Sequence, residues 1–129
     1  MDYHGKWKLK SMLTVGSRGF QRMEASEIEA MEDSEKSEQA KRMLNAVFII
    51  SESALDIYVK AEGEELSEAL RSGKTVNENG ILFESFPARI EDGVLLLDYT
   101  KKGIEYSPTW VDENGVLALS GGILKIKKA

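Results

Sequence analysis

With 129 residues, 42% of them hydrophobic, the chain has the length and apolar content of one folded domain over 1–129 and not of a disordered tail. Lys and Arg number 17 against 22 Asp and Glu, a formal net charge of -5 that argues against a nucleic-acid binder. The absence of Cys excludes disulfides, thiolate metal sites and a Cys nucleophile, and the single His4 excludes a multi-histidine zinc site within one chain.

Met1-Asp2-Tyr3-His4-Gly5-Lys6 lacks the apolar core of a signal peptide, and Ala46-Val47-Phe48-Ile49-Ile50 is too short to cross a bilayer. The expectation is a soluble chain without membrane insertion. The cytoplasm is favoured, although a chain trimmed of an export leader would read the same. Trp7, Leu9, Leu13 and Val15, with Ser11 among them, share one parity, and Lys6, Lys8 and Lys10 share the other. That predicts a strand with a buried and a wet face. Gly16-Ser17-Arg18-Gly19 ends it as a turn.

A helical stretch follows. Ser26 with Glu29 has the capping-box pattern, and Ile28, Met31, Ala40, Met43, Leu44 and Val47 keep helical spacing. Asp33-Ser34 offers an interruption that would give two short helices. Residues 24–38 carry seven acids against Lys36, so this one segment is more negative than the whole chain. Residues 47–50 and 55–60 read as strands about a Ser51-Glu52-Ser53 turn. Residues 64–72 read as a short helix with Leu66, Ala69 and Leu70 on one face and Gly73 past its end.

From Thr75 onward, turns recur at Asn79-Gly80, Asp92-Gly93, Lys102-Gly103, Asn114-Gly115 and Gly121-Gly122. They separate strands expected at 81–86, 88–91, 94–99, 104–111, 116–120 and 123–127. Short strands with tight turns describe an antiparallel meander, closed as a barrel or folded as a sandwich. Pairing of the first and last strands would close it and remove exposed edges.

Little in the chain suggests catalysis. No Gly-x-Ser-x-Gly elbow or phosphate-binding glycine loop is present, and the lone His4 reads as an exposed terminal side chain. Glu84 and Asp98 sit within expected strands, and facing water is the cheaper placement for both. The acids of 24–38 read as a solvated helix face, since no Gly falls between Gly19 and Gly63 to shape a calcium loop. Lys6, Lys8, Lys10, Lys125 and Lys127 would form one basic patch if the terminal strands are neighbours. That patch reads either as a docking surface for an anionic partner or membrane headgroups, or as edge protection.

Gly5-Lys6-Trp7 opens the first strand, helical residues follow it, and a hairpin meander runs to Gly122-Ile123-Leu124-Lys125-Ile126-Lys127. This layout resembles the calycin group, the lipocalins and fatty-acid-binding proteins, and most closely the small bacterial lipocalin-like domains. The order of elements carries the resemblance over the whole chain, and the Gly-x-Trp triplet carries it as a motif. The resemblance implies an all-β, antiparallel up-and-down barrel with a short helical insertion after the first strand. It implies that Trp7 plugs one end, with Lys125 or Lys127 packed over it. Two departures stand out. No helix follows the last strand, as one does in lipocalins. No Arg-x-Tyr stands near the end to grip a carboxylate, as in fatty-acid-binding proteins.

A barrel of about eight strands is filled by side chains or holds one small ligand. By parity, the inward set is Leu9, Leu13, Phe48, Ile50, Leu55, Ile57, Val59, Phe83, Leu96 and Ile104, joined by Tyr106 and Trp110. The leading expectation is non-catalytic binding of a small, largely apolar molecule in the barrel, touched by Tyr106, Trp110, Phe83, Ser11 and Arg89. Ala88 and Ile90 compete with Arg89 for the inward parity. No metal, cofactor or nucleic-acid partner is expected. The alternative is an interaction module with a filled core that acts through its surface.

Overall fold

The computed structural model describes residues 1–16 and 19–129. Ser17 and Arg18, in the middle of the first expected turn, lie outside the described residues. The alternating first segment forms a long strand, β1 (Gly5–Gly16), but the helices do not follow it directly. A second strand, β2 (Gly19–Glu24), pairs back along it from Gly16↔Gly19 to Ser11↔Glu24. Then come α1 (Ala25–Glu29), α2 (Glu35–Leu44), β3 (Val47–Ile50), β4 (Ala54–Val59) and α3 (Gly63–Arg71).

The rest is strand and turn: β5 (Val76–Asn77), β6 (Gly80–Glu91), β7 (Val94–Leu97), β8 (Ser107–Pro108), β9 (Trp110–Val111), β10 (Leu117–Leu119), a 3-10 turn (Ser120–Gly122) and β11 (Leu124–Lys128). Residues 81–86 and 88–91 are thus one strand, and 104–111 is a loop over 104–106 followed by the two short strands β8 and β9 about Thr109. The helical stretch does divide near Asp33-Ser34. Its capping differs from expectation, because α1 starts one residue before Ser26 and Glu24 N–H donates to Glu27 at 3.1 Å. Ser34 caps α2, and Ser34 N–H donates to Ser37 Oγ at 2.9 Å in return.

The eleven strands form one antiparallel sheet, in the order β8-β7-β6-β4-β3-β1-β11-β10-β9 with β2 and β5 attached at its side. The end strands β8 and β9 are separated in the chain only by Thr109, which therefore spans the seam of a nearly closed barrel. Thr109 N–H and Oγ1 both donate to Leu95 O, at 3.0 and 2.8 Å. The terminal strands β1 and β11 pair, from Trp7↔Lys128 to Met12↔Leu124.

The registers distinguish the two ends of this barrel. The turns at 51–53, 92–93 and 112–115 gather at one end with Tyr3, whose hydroxyl donates to Gly93 O at 3.0 Å. The helices and the 98–106 loop lie at the other. Inside, Trp7, Phe48, Ile50, Leu55, Leu95, Leu97, Leu117, Leu119 and Ile126 are each at most 2% exposed. Burying one such side chain is worth roughly 1.5–3 kcal/mol. Ile28 of α1 and Ala40 and Met43 of α2 belong to the same buried cluster.

The parity reading fails along β1 for a local reason. Between Leu9 and Ser11 the register with β11 slips by one residue, a bulge that turns the later residues over. Trp7 and Leu9 point inward, but Met12 then takes the inner side. Leu13 is only half-buried, and Val15 is 79% exposed.

Candidate functional site

Trp7 lies wholly buried near the turn end, and its indole N–H donates to Tyr3 O at 2.8 Å. The cation over its ring is Lys128, 5.4 Å from the ring centroid, and not Lys125 or Lys127. The pairing of Trp7 with Lys128 explains this. Lys127 sits opposite Lys8, and Lys125 opposite Ser11.

The five residues expected around a ligand are scattered. Phe83 is 47% exposed on β6, and Trp110 is 51% exposed on the outside of β9. Arg89 is exposed and stacks over the Tyr106 ring at 4.3 Å, so these two do meet, but on the outer surface. Ser11 is buried beneath Arg22, whose guanidinium donates to its hydroxyl at 2.8 Å. The inward positions belong to Ala88, Leu95, Leu97 and Thr109 instead of Arg89, Leu96, Tyr106 and Trp110. Ile104, also placed inside by parity, is 78% exposed.

Asp98 explains part of that shift. It was expected in water, yet it is fully buried just past β7. One carboxylate oxygen accepts from Thr100 N–H at 2.8 Å and from the Thr100 hydroxyl. The other accepts from Ile104 and Glu105 N–H at 2.9 and 3.3 Å. Burial pushes its pKa up, but these hydrogen bonds outweigh burial and hold it well below the ordinary value of 3.8. The carboxylate thereby folds 98–106 into a loop and removes residues 104–106 from the strand. Glu84, by contrast, is partly exposed and pairs with Lys101.

A concavity lies at the helical end, between α3 and the β4–β6 pair. The spacing of Leu66, Ala69 and Leu70 gives α3 one apolar face. Ala69 is buried, while Leu70 remains 59% exposed. Glu64 and Glu65 in its first turn and Arg71 in its last suit the helix dipole. Gly73, at φ +75°, ends the helix, and Lys74 N–H returns to Ala69 O at 3.0 Å. Thr75 O then accepts from Leu82 N–H at 2.8 Å, tying the chain back onto β6.

Between these segments is a cleft of about 630 Å³. Val59, Ala69, Ile81, Leu82 and Phe83 supply its apolar lining, and Thr75, Lys74, Glu68, Glu65 and Arg42 its polar rim. Arg42 of α2 and Glu65 of α3 form an ion pair across the rim at 3.2 Å. Of the ligand residues expected from sequence, Phe83 alone lines this cleft. The helical spacing at 66–70 was the one sequence signal that pointed here.

Among the described residues, no group of three or more acids or histidines gathers as a metal site, and no helix is long and apolar enough to cross a membrane. The architecture is a nearly closed antiparallel barrel, compatible with a calycin-like fold. No family model matches the chain, and no curated protein or solved structure does either.

Proposed function

We propose that this protein binds a small, largely apolar molecule without catalysis, and that the site is the cleft beneath α3. The cleft itself carries this reading. Its volume of about 630 Å³ falls in the size class of small-molecule sites, and it joins an apolar lining to a few charged rim groups. The lower barrel is filled by Trp7, Phe48 and their neighbours, so a guest is better accommodated at the helical end than in the middle. His4, the one imidazole, stands at the opposite end, beside the Gly5↔Ile50 pair. The ligand class is that of the calycin resemblance, while the position differs from the barrel centre expected of it.

Titration with the fluorescent apolar anion anilinonaphthalene sulfonate tests the proposal. Saturable binding is expected. Thr75→Trp adds bulk at an exposed rim position and is expected to weaken binding by at least about tenfold, or 1.4 kcal/mol. Absence of saturable binding, or binding that Thr75→Trp leaves unchanged, overturns the assignment. A second reading, action through the outer surface, draws support from exposed apolar side chains on and beside β2.

A further inference from the structure

Among the described residues past Leu13, β1 and β2 pair only with each other, so they project from the barrel as a two-stranded arm. Val15 and Phe20 face one another across it, 79% and 78% exposed. At the base of the arm, Leu13 N–H donates to Ile123 O at 2.9 Å, and Ile123 is 49% exposed. Next to it, Gly122 O accepts from Arg22. A Cβ on Gly122 would stand 3.6 Å from the ring of Trp110, itself 51% exposed. Four large exposed apolar side chains therefore lie along the arm and beside its base. Met12 and Met23, a cross-strand pair on the arm's other face, pack against the core and turn that face inward.

The charge beside this edge opposes that of the chain. Lys10, Arg22, Lys125 and Lys127 line a shallow basin of about 450 Å³ next to it. Glu24 and Asp112 share the basin. Glu24 pairs with Lys10 at 3.5 Å, and Asp112 is engaged by Asn114 and Val116 N–H at 2.8 and 3.0 Å. Four cations against two anions stand out on a molecule of net charge -5.

We propose that this edge docks on an anionic lipid surface. Val15, Phe20, Ile123 and Trp110 enter the boundary between headgroups and acyl chains, and Lys10, Arg22, Lys125 and Lys127 face the phosphates. Charge complementarity selects an anionic occupant. Shape selects lipid: a fluid interface closes around protruding side chains, whereas a protein partner must offer a matching hollow. Tryptophan beside lysine and arginine is the composition that membrane interfaces favour. Such docking is shallow and reversible. It gives the surface reading one occupant and is independent of the α3 cleft, so Thr75→Trp leaves it intact.

Co-sedimentation with phosphatidylcholine vesicles, with and without phosphatidylglycerol, tests the proposal. Binding is expected only to the anionic vesicles and is expected to fall at high salt. Val15→Ser with Phe20→Ser, or Lys125→Glu with Lys127→Glu, is expected to weaken it about tenfold while the thermal melt stays that of the parent. Phe20→Trp keeps or strengthens binding and guards against loss through misfolding. Because Trp7 is buried, a blue shift of fluorescence on binding reports Trp110. Absence of binding to anionic vesicles overturns the proposal, as does binding indifferent to the Val15 and Phe20 changes. A dimer in solution that those changes dissolve assigns the edge to a second copy instead.

Discussion

Asp98 shows how one side chain changes the course of the chain. Four donors converge on a buried carboxylate, and the backbone of Ile104 and Glu105 is held as a loop by two of them. Asn at this position keeps one acceptor and turns an amide N–H₂ toward backbone donors. Asp98→Asn is therefore expected to lower the melting temperature at neutral pH. The pH dependence follows from the direction of the shift. The folded-state pKa lies below the ordinary 3.8, so the unfolded chain takes up the proton first. The stabilisation is whole above about pH 5 and is lost as the pH falls through 3.8 toward the folded value. Melts at pH 7 and pH 3 are expected to show the gap between parent and variant narrowing in acid, and a constant gap would refute the assignment. Trp7 makes the complementary point. Its burial was legible from the strand pattern, but the resemblance pointed to Lys125 or Lys127 above it, and only the observed register sets Lys128 opposite Trp7.

At the scale of elements, the turns were the most legible feature. Asn79-Gly80 begins β6, and Gly80 adopts φ +121° beside β4, where a Cβ would lie 2.2 Å from Val59 O. No side chain fits there without moving one of the two strands. Gly80→Ala is expected to cost on the order of 2 kcal/mol, measured by urea denaturation, and a neutral result would mean that the β4–β6 approach is looser than this. Strand lengths were less legible. The strands expected at 81–86 and 88–91 are one, and β6 runs through Pro87, because this is where the strand leaves β4 and takes up β7. Ala54↔Pro87 is the last pair on one side and Ala88↔Leu97 the first on the other. β2 went unread because Phe20 and Met23 stand three apart about Gln21 and Arg22, a spacing without strand alternation that merges with the helical pattern that follows.

For the whole molecule, the barrel and the arm are separable. Val15 and Phe20 contribute little to the core, so replacing residues 14–21 by Asn-Gly between Leu13 and Arg22 is expected to leave a cooperative melt, weakened by less than about 1 kcal/mol. Collapse of the fold on that change would show that the arm is part of the core.

The sequence by itself determined an all-β meander with a helical insertion, the burial of Trp7 and the lack of cysteine chemistry, because these follow from local patterning and composition, and it offered the pairing of the end strands only as the simplest closure. Alternation placed Leu9, Phe48, Ile50, Leu55, Ile57 and Val59 inside correctly, but which residues face inward past the β1 bulge and along β6 to β9, and where a cleft opens, was decided only in three dimensions. A single bulge at Leu9–Ser11 inverts the faces of β1, Asp98 withdraws residues 104–106 from the sheet, and α3 folds back on β6. Each depends on partners distant in the chain, and periodicity carries no information about them.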